Sequence, residues 1–381
     1  MNAPAALHDD RLARVTLSRL TEPGDPRVSR LVPQLGAPRL LHLLLDDAEV
    51  SDLRTDAAAR LLDVEPEREL ERAARLGIRF VVPGDAEWPA RTADLARVAN
   101  SQDRGGPPLG LWVRGPRRLD ELGNSVAVVG SRSATTYGAD VASEIAAVTA
   151  RAGWGVVSGA AFGIDQAAHR GAAAVRGFTV AVLACGVDRA YPTAHAALLE
   201  HLATEGMVVS ELPPGCSPTR LRFLSRNRVI AALTRGTVVV EAALRSGALS
   251  TANWASKISR PVLGVPGPVT SAQSQGVHGL LRTGAATLVT CGAEVLEELG
   301  AVGEHLAELP RGPERRRDRL SSRQQQVLEA VPVASPAGVE SVARAAGIGL
   351  LEVSTLLAQL QALELVEQLP RGWRLAEGAR A

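Results

Sequence analysis

The chain has 381 residues and carries 42 Lys and Arg against 41 Asp and Glu, so its formal net charge of +1 gives no global sign of a polyanionic partner. Hydrophobic residues make up 46% of it, which is enough to bury a core in two or three domains without disulfide or metal support. The three cysteines, Cys185, Cys216 and Cys291, form no CxxC pair and have no histidine at ligand spacing. This pattern excludes a structural zinc site and indicates a reducing compartment.

No targeting or membrane segment is predicted. Asp9 and Asp10 stand where a signal peptide needs an apolar segment, and no apolar run approaches the roughly 18 residues that a membrane span requires. We therefore expect a soluble, cytoplasmic protein.

Residues 1–105 alternate short leucine-rich stretches with Pro and Gly. The stretches at 40–45 and 57–62 have the apolar spacing of helices, and the breaks between such stretches are typical of loops. We predict a small helical domain that ends near residue 105.

Residues 106–305 show a different pattern, in which short Val-rich runs alternate with Ala-rich helical stretches. This alternation predicts right-handed βαβ crossovers and a mostly parallel sheet with helices on both faces, that is, a Rossmann-like doubly wound α/β domain. The runs lie at 126–130, 154–158, 179–185, 207–210, 237–242, 261–265 and 286–290.

A linker is predicted at 306–320, where Pro, Gly and mixed charges do not support a packed element. Residues 321–381 return to helical periodicity and end in two strand-like runs around the turn at 370–372. Three helices followed by a strand, a turn and a strand predict a winged-helix domain.

Two loops rich in small residues, GSRSATTYG (130–138) and SGAAFG (158–163), each join a strand to a helix. In an open α/β sheet, ligands bind outside the carboxyl ends of the strands, where free N–H groups at a helix start favour an anion. Neither loop is a Walker A or GxGxxG motif, so each is also consistent with a tight packing turn. Arg132 lies two residues past the first strand, within reach of a phosphate at that edge.

Arginines are concentrated between residues 220 and 245, where six basic residues face one acid, Glu241. Positive charge confined to one segment of a neutral protein suits sequence-independent binding to a phosphate backbone. Phe223 lies inside the segment, and Tyr137, Phe162 and Tyr191 lie in other strand-end loops. These aromatic side chains are candidates to stack on bases of a single strand, and core packing explains each of them equally well.

Few residues suggest catalysis. Asp165 and His169 are spaced i,i+4 on a predicted helix and form either an acid/base pair or a capping aspartate beside a histidine. Ser158, Ser246 and Ser250 have no evident His and Asp partners, and the seven histidines show no metal motif. We predict no catalytic residue, no metal and no cofactor.

Seven ordered blocks between about residues 109 and 290 closely resemble the DNA-processing protein A family, also called Smf. They are VAVVGSRSATTYG, GWGVVSGAAFGIDQAAHRGA, TVAVLACGVDRAYP, MVVSELPPG, FLSRNRVIAALTRGTVVVEA, RSGALSTANWA and VPGPVTSAQSQGVHGLLRTGA.

This resemblance implies a homodimer that binds single-stranded DNA and loads a RecA-type recombinase during natural transformation, without known catalysis. It also implies a SAM-like helical N-terminal domain and a winged-helix C-terminal domain. Arg132 and the SRNR residues would line a positive DNA pocket, with the loops at 158–163 and 246–247 nearby. The predicted DNA contacts are Gly130, Ser131, Arg132, Ser158, Gly159, Gly163, Arg220, Arg222, Phe223, Ser225, Arg226, Asn227, Arg228, Arg245, Ser246 and Gly247.

Two alternatives stay open from the sequence. A Rossmann-like enzyme that hydrolyses nucleoside monophosphates also places a glycine and a glutamate after a strand, as Gly236 and Glu241 loosely do, but the PGGxGTxxE motif of such enzymes is missing. A sequence-specific regulator would use the winged helix, yet its recognition helix at 350–364 contains no basic residue. We predict that this module contacts protein or only assists DNA binding.

Overall fold

The computed structural model describes residues 3–46, 64–101, 104–307 and 316–379. The chain divides into two compact units, Met1–Ala307 and Glu308–Ala381. The domain boundaries predicted at residues 105, 305 and 320 stay predictions. The helical stretch expected at 57–62 lies outside the described residues.

The first unit begins with helices. Asp25 starts the second of them by accepting a hydrogen bond from the Arg27 N–H, and Pro26 occupies the first turn, where its missing N–H costs nothing. Leu17, Leu40 and Leu44 are completely buried and form a small core among these helices. The helices are α1 (Ala3–Leu20), α2 (Pro26–Leu35), α3 (Ala37–Asp46) and α4 (Pro66–Arg75).

A nine-stranded sheet in the order β1-β2-β6-β5-β4-β3-β7-β8-β9 forms the centre of the first unit. The seven neighbouring strands β6-β5-β4-β3-β7-β8-β9 are parallel to one another. β2 pairs antiparallel with both β1 and β6. The strands are β1 (Ile78–Val81), β2 (Leu111–Arg114), β3 (Ser125–Val129), β4 (Gly155–Ser158), β5 (Thr179–Val182), β6 (Met207–Ser210), β7 (Gly236–Val239), β8 (Val262–Gly264) and β9 (Thr287–Leu288).

Helices cover both faces of the sheet, because successive strand residues point to opposite sides and both sides are apolar. Val126 and Val128 pack against α5, α6 and α11, whereas Ala127 and Val129 pack on the opposite side with α8, α9 and α10. These helices are α5 (Thr136–Arg151), α6 (Ile164–Ala174), α7 (Ala196–Glu205), α8 (Arg220–Leu233), α9 (Gly247–Lys257), α10 (Gln275–Arg282) and α11 (Gly292–Leu299), with 3-10 turns at Ala90–Arg97, Leu119–Gly123 and Thr193–His195.

The doubly wound, mostly parallel α/β fold predicted from the sequence is confirmed, and all seven Val-rich runs coincide with strands β3 to β9. The structure differs from the expectation of a purely helical domain over residues 1–105. The segment before residue 105 is not only helical, because β1 enters the sheet at its edge and pairs with β2. The physical reason is burial: Phe80 on β1 stacks on Trp112 of β2 with ring centroids 4.5 Å apart, and both side chains are shielded from solvent.

The second unit contains three helices followed by a two-stranded antiparallel hairpin. Its first helix starts with a capping box, in which Ser321 and Gln324 each accept a hydrogen bond from the other's backbone N–H. This order of elements matches the sequence-based expectation, and the winged-helix assignment itself stays a prediction. The elements are α12 (Ser322–Ala330), α13 (Val339–Ala346), α14 (Leu350–Ala362), β10 (Val366–Leu369) and β11 (Gly372–Leu375).

Within the described ranges, no single helix is long and apolar enough to cross a membrane. α13 and α14 together meet the length and composition of a span, but they are bent by 104° at the break between them. Their buried residues Val342, Val353 and Leu357 belong to the core of the second unit.

Candidate nucleic-acid interface

A cleft of about 720 Å³ opens at the carboxyl ends of the parallel strands. It lies where the strand order reverses, since β3 stands between β4 and β7, and ligands of open α/β sheets bind at such a switch point. The loop after β3 and the first turns of α8 and α9 form its walls. Ten of the sixteen predicted contacts line it: Gly130, Ser131, Arg132, Arg220, Phe223, Arg226, Asn227, Arg245, Ser246 and Gly247.

A carboxylate of the protein itself occupies the helix start behind the first glycine loop. The buried Glu241 accepts hydrogen bonds from the Thr135 backbone N–H at 2.9 Å and from the Thr135 hydroxyl at 2.5 Å, at the N-cap of α5. Gly138 leaves room for this carboxylate, because a Cβ at residue 138 would lie 2.3 Å from the Glu241 carboxyl carbon. A carboxylate of the protein therefore already lies beside this helix start, which weighs against the expectation that it binds an external phosphate.

The second glycine loop is held in the same way. Asp165 is buried, and its Oδ2 accepts hydrogen bonds from the backbone N–H groups of Gly159 at 3.1 Å and Ala161 at 3.4 Å. Desolvation raises the pKa of this carboxyl group, and the nearby Arg226 opposes that rise. Asp165 shapes the loop, and those two N–H groups are not available to a ligand.

The alternative of an Asp165–His169 acid/base pair is not supported. The His169 Nδ1 lies 2.7 Å from the Thr179 hydroxyl, which itself donates to the Val156 carbonyl. Nδ1 must therefore carry the proton, and Nε2 is buried without a partner. Burial lowers the pKa of His169 to about 3, so the ring is neutral at pH 7.

Arg226 forms part of the floor of the cleft. It is only 7% exposed, and its Nη1 donates to the carbonyls of Gly159 at 2.8 Å and Val182 at 2.6 Å. Gly159 permits this approach, because a Cβ would lie 2.2 Å from Nη1. Desolvation lowers the pKa of Arg226, and the nearby Asp165 opposes that decrease. Arg226 joins the ends of β4 and β5 while it also faces the cleft.

Three arginines on the walls differ from Arg226 because they are exposed. Arg132, Arg220 and Arg245 form no ion pair in the part of the chain that the structure describes. Asp165 is the only acidic residue among the described residues that line the cleft. The cleft is therefore positively charged, and its exposed guanidinium groups can pair with an anion.

An aromatic pair lies beside these arginines. Phe223 has the Arg132 guanidinium carbon 4.9 Å above its ring centroid, and the Tyr191 ring lies 5.6 Å away on a tilted plane. Tyr191 is 43% exposed. The other two candidates lie outside the cleft lining: Phe162 packs edge-on against His195, and Tyr137 donates its hydroxyl to the Pro266 carbonyl.

Six predicted contacts do not line the cleft. Ser158 donates to the Val128 carbonyl, and Ser225 donates to the Leu221 carbonyl within its own helix. Gly159 is buried beneath Arg226, and Gly163 packs against the loop after β3 at a positive φ of 75°. The remaining two are arginines paired with acids: Arg222 with Glu22, and Arg228 with Glu211.

Sequence reasoning missed several polar residues of the cleft. Gln273 accepts a hydrogen bond from the Ser131 hydroxyl at 3.1 Å and donates to Ser133, so it fixes the loop after β3. Thr219 caps α8 from the cleft side. Gln273 follows β8 inside the block VPGPVTSAQSQGVHGLLRTGA, but its local pattern does not show that it contacts a loop more than 130 residues earlier in the chain.

No group of three or more His, Cys, Asp or Glu among the described residues is arranged to hold a metal ion. Ser246 accepts a hydrogen bond from the Ala248 N–H at the start of α9, so its hydroxyl acts as a helix cap. The geometry suits binding of an anion that carries flat rings, and the described side chains of the cleft do not form a nucleophile, base and acid set.

Comparisons with a family model, with known sequences and with solved structures all indicate the same family. Residues 79–300 match the family model described as DNA recombination-mediator protein A. A Mycobacterium tuberculosis relative named as a DNA processing protein DprA is 42% identical over 369 residues, which cover 94% of this chain and 92% of the relative. Protein Smf of Escherichia coli is 38% identical over 255 residues, with 65% and 67% covered. The X-ray structure of DNA processing protein A from Streptococcus pneumoniae superposes with a TM-score of 0.61 at 29% identity, covering 77% of this chain and 98% of that one.

Replacement of Arg228 by Met should destabilise the protein by about 3–5 kcal/mol, because the buried Glu211 carboxylate would lose its partner. Arg220→Met is the matched control, and this exposed change should alter the free energy of unfolding by less than about 0.5 kcal/mol. Urea denaturation followed by tryptophan fluorescence measures both. Equal stability of the two variants would show that the Arg228 ion pair is not a structural contact.

The stability of the first unit should fall as the pH drops below 6.5, because burial lowers the pKa of His169 to about 3 in the folded state. The unfolded chain then binds a proton that the folded chain does not, which removes about 1.4 kcal/mol per pH unit between the unfolded and folded pKa values. Urea midpoints measured from pH 7.5 to 5 test this. His169→Asn, which keeps a donor toward Thr179, should show a correspondingly weaker pH dependence.

Proposed function

Because the chain belongs to the DNA recombination-mediator protein A family, we propose that it is a non-catalytic protein that binds single-stranded DNA in the switch-point cleft. The observation that carries the proposal is the set of three exposed arginines, Arg132, Arg220 and Arg245, around the Phe223–Tyr191 pair.

The arrangement favours a nucleic-acid backbone over an isolated phosphate. Three separate guanidinium groups on different walls suit several phosphates in a row, each of which accepts a bidentate contact without regard to base identity. Tyr191, which is 43% exposed, offers its ring to an unstacked base, at about 1–3 kcal/mol when a base stacks on it, whereas the Phe223 ring already has the Arg132 guanidinium over it. Bases of a duplex are already stacked on each other, so this combination favours a single strand.

The second candidate is a nucleotide-hydrolysing enzyme with a Rossmann-like fold. Such enzymes hold the phosphate on free backbone N–H groups at strand-to-helix turns. Here Glu241 and Asp165 accept hydrogen bonds from N–H groups of the two glycine loops, and a second anion beside them would be repelled. This observation weighs against the enzyme and supports a binding protein whose anion contacts come from side chains.

We extend the proposal to the biological role on the basis of the family. The protein forms a homodimer in the cytoplasm, protects incoming or resected single-stranded DNA and delivers it to a RecA-type recombinase. Natural transformation and repair both require this step. The family description as a recombination mediator supports the role, and the cleft supports the DNA part of it.

The second unit has a different proposed role. A helix that reads a major groove needs basic or amide side chains toward DNA, but α14 contains no basic residue. Leu351 is 87% exposed at the start of this helix, and the neighbouring Glu352 adds negative charge. We propose that this unit is a winged helix that contacts protein or only assists DNA binding.

Binding to oligo-dT should exceed binding to a duplex of equal length and should weaken steeply as the salt concentration rises. Each phosphate contact to a single strand contributes about 0.7 to the slope of log K against log salt. Fluorescence anisotropy across a salt series with both DNAs measures this. A preference for duplex, or an affinity that does not respond to salt, would overturn the proposal, and release of free base from a nucleoside monophosphate would favour the enzyme.

Arg132→Ala, Arg220→Ala and Arg245→Ala should each weaken oligo-dT binding and reduce the salt slope by about 0.7, because each removes one phosphate contact. Arg151→Ala is the control. It removes the same charge from an exposed arginine in the last turn of α5, away from the strand ends that form the cleft. If Arg151→Ala has the same effect as the cleft variants, binding depends on net charge and the cleft is not the site.

A further inference from the structure

Helix α8 carries arginines on two sides, and the side away from the cleft is held by the N-terminal segment. Arg220 and Phe223 line the cleft, whereas Arg222 forms a bidentate ion pair with Glu22, with Nε–Oε2 and Nη2–Oε1 distances of 2.8 Å each. The two side chains are 15% and 22% exposed, so the pair is largely shielded from solvent. The third nitrogen of Arg222 donates to the Ser217 carbonyl at 2.6 Å.

A second contact holds the same helix further along. Arg228 pairs with Glu211 at 2.5 and 2.7 Å and is completely buried. Gly24 packs directly on its guanidinium, since a Cβ at that position would lie 3.1 Å from Nε. Gly24 follows Glu22 by two residues, so one short segment of the chain reaches both arginines.

The same segment also contacts the loop that leads into α8. Arg19, in the last turn of α1, donates to the Pro214 carbonyl at 2.7 Å and pairs with the buried Glu69. The Gly24 carbonyl accepts a hydrogen bond from Gly105 at 2.9 Å. Residues 19–25 are thus connected both to the start of α8 and to the body of the first unit.

From these contacts, and on the basis of the proposed function, we infer that Glu22 is a positioning residue for single-stranded DNA binding. Arg220, Arg222 and Phe223 share the first turn of α8, so a rotation or displacement of that turn moves all three. The pair with Glu22 fixes Arg222 and thereby fixes where Arg220 and Phe223 face the cleft. The N-terminal helical region acts on DNA affinity through this contact without touching DNA.

Positioning and simple electrostatic attraction predict opposite changes in DNA affinity when Glu22 is removed. Glu22 is an acid that contacts α8, the helix proposed to bind a polyanion, so its removal by charge alone strengthens DNA binding. Positioning predicts the opposite, because an unpaired Arg222 releases the first turn of α8. A loss of affinity after removal of a negative charge therefore indicates a geometric cause.

Glu22→Gln should weaken oligo-dT binding about 5-fold, the lower end of typical coupling between sites. The matched control is Asp85→Asn, which breaks the Arg11–Asp85 pair of the same N-terminal region, at 2.6 Å with side chains 29% and 18% exposed. Asp85→Asn should leave affinity within about 2-fold of the wild type, because that pair does not contact α8. Anisotropy at one salt concentration gives the affinities, and thermal unfolding gives the stability of both variants.

Charge reversal supplies the second test. Glu22→Arg adds positive charge but repels Arg222, so it should bind oligo-dT more weakly than the wild type. The double variant Glu22→Arg with Arg222→Glu restores the pair and should recover most of the affinity. Hydrogen exchange should show faster exchange of the first-turn amides of α8 in the single variant and protection again in the double variant.

The experimental results distinguish failure of the proposed function from failure of the positioning role of Glu22. If the wild type does not bind oligo-dT, the proposed function fails. If the wild type binds and Glu22→Gln binds as tightly or more tightly, only the positioning role fails. Equal losses in Glu22→Gln and Asp85→Asn would also overturn it, because the cause would then be general destabilisation. Recovery in the double variant together with a selective loss in Glu22→Gln supports it.

Discussion

The structure around the cleft depends on one constraint: carboxylates of the protein itself bind backbone N–H groups that could otherwise bind an external anion. Two strand-to-helix loops at the switch point present backbone N–H groups, and in many Rossmann-like proteins such groups hold a phosphate. In this chain Glu241 occupies the start of α5, and Asp165 occupies the loop after β4. Both carboxylates are buried, and Gly138 and Gly159 leave the space that the surrounding contacts require. The N–H groups that these carboxylates bind are not open to a ligand, so the proposed anion contacts come from side chains.

The arginines of helix α8 therefore have different roles. Arg220 faces outward, Arg226 holds two strand-end carbonyls beneath the cleft, and Arg222 and Arg228 pair with acids behind the helix. Arg222 and Arg228 form ion pairs, and Arg226 holds two backbone carbonyls while it also faces the cleft; these contacts make the position of the helix well defined. In the proposed function a defined helix matters, because one exposed arginine and one aromatic ring in its first turn would meet a flexible strand at set places.

The sequence predicted much of this fold and part of the site. All seven parallel strands coincide with Val-rich runs. For β3 to β8 the reason is that a strand buried on both faces must be largely apolar, whereas the edge strand β9 is exposed. β1 was not predicted because IRFV is short and lies among helical stretches, and its pairing with β2 joins residues at least 30 positions apart in the chain. Within the site, the loop after β3 and the start of α9, which were predicted to contact DNA, lie in the cleft wall, and their contact with DNA stays a prediction; Gln273 was not singled out.

By itself the sequence determined where the positive charge is concentrated, between residues 220 and 245 and at Arg132, in a chain that is neutral overall. Only the tertiary structure decided which of those arginines meet solvent. The physical reason lies in α8, where every residue from Ser225 to Leu233 is buried, so no polar and apolar alternation marks one face as exposed. Glu22 and Glu211, distant in sequence, neutralise Arg222 and Arg228, and such long-range pairing is visible only once the chain has folded.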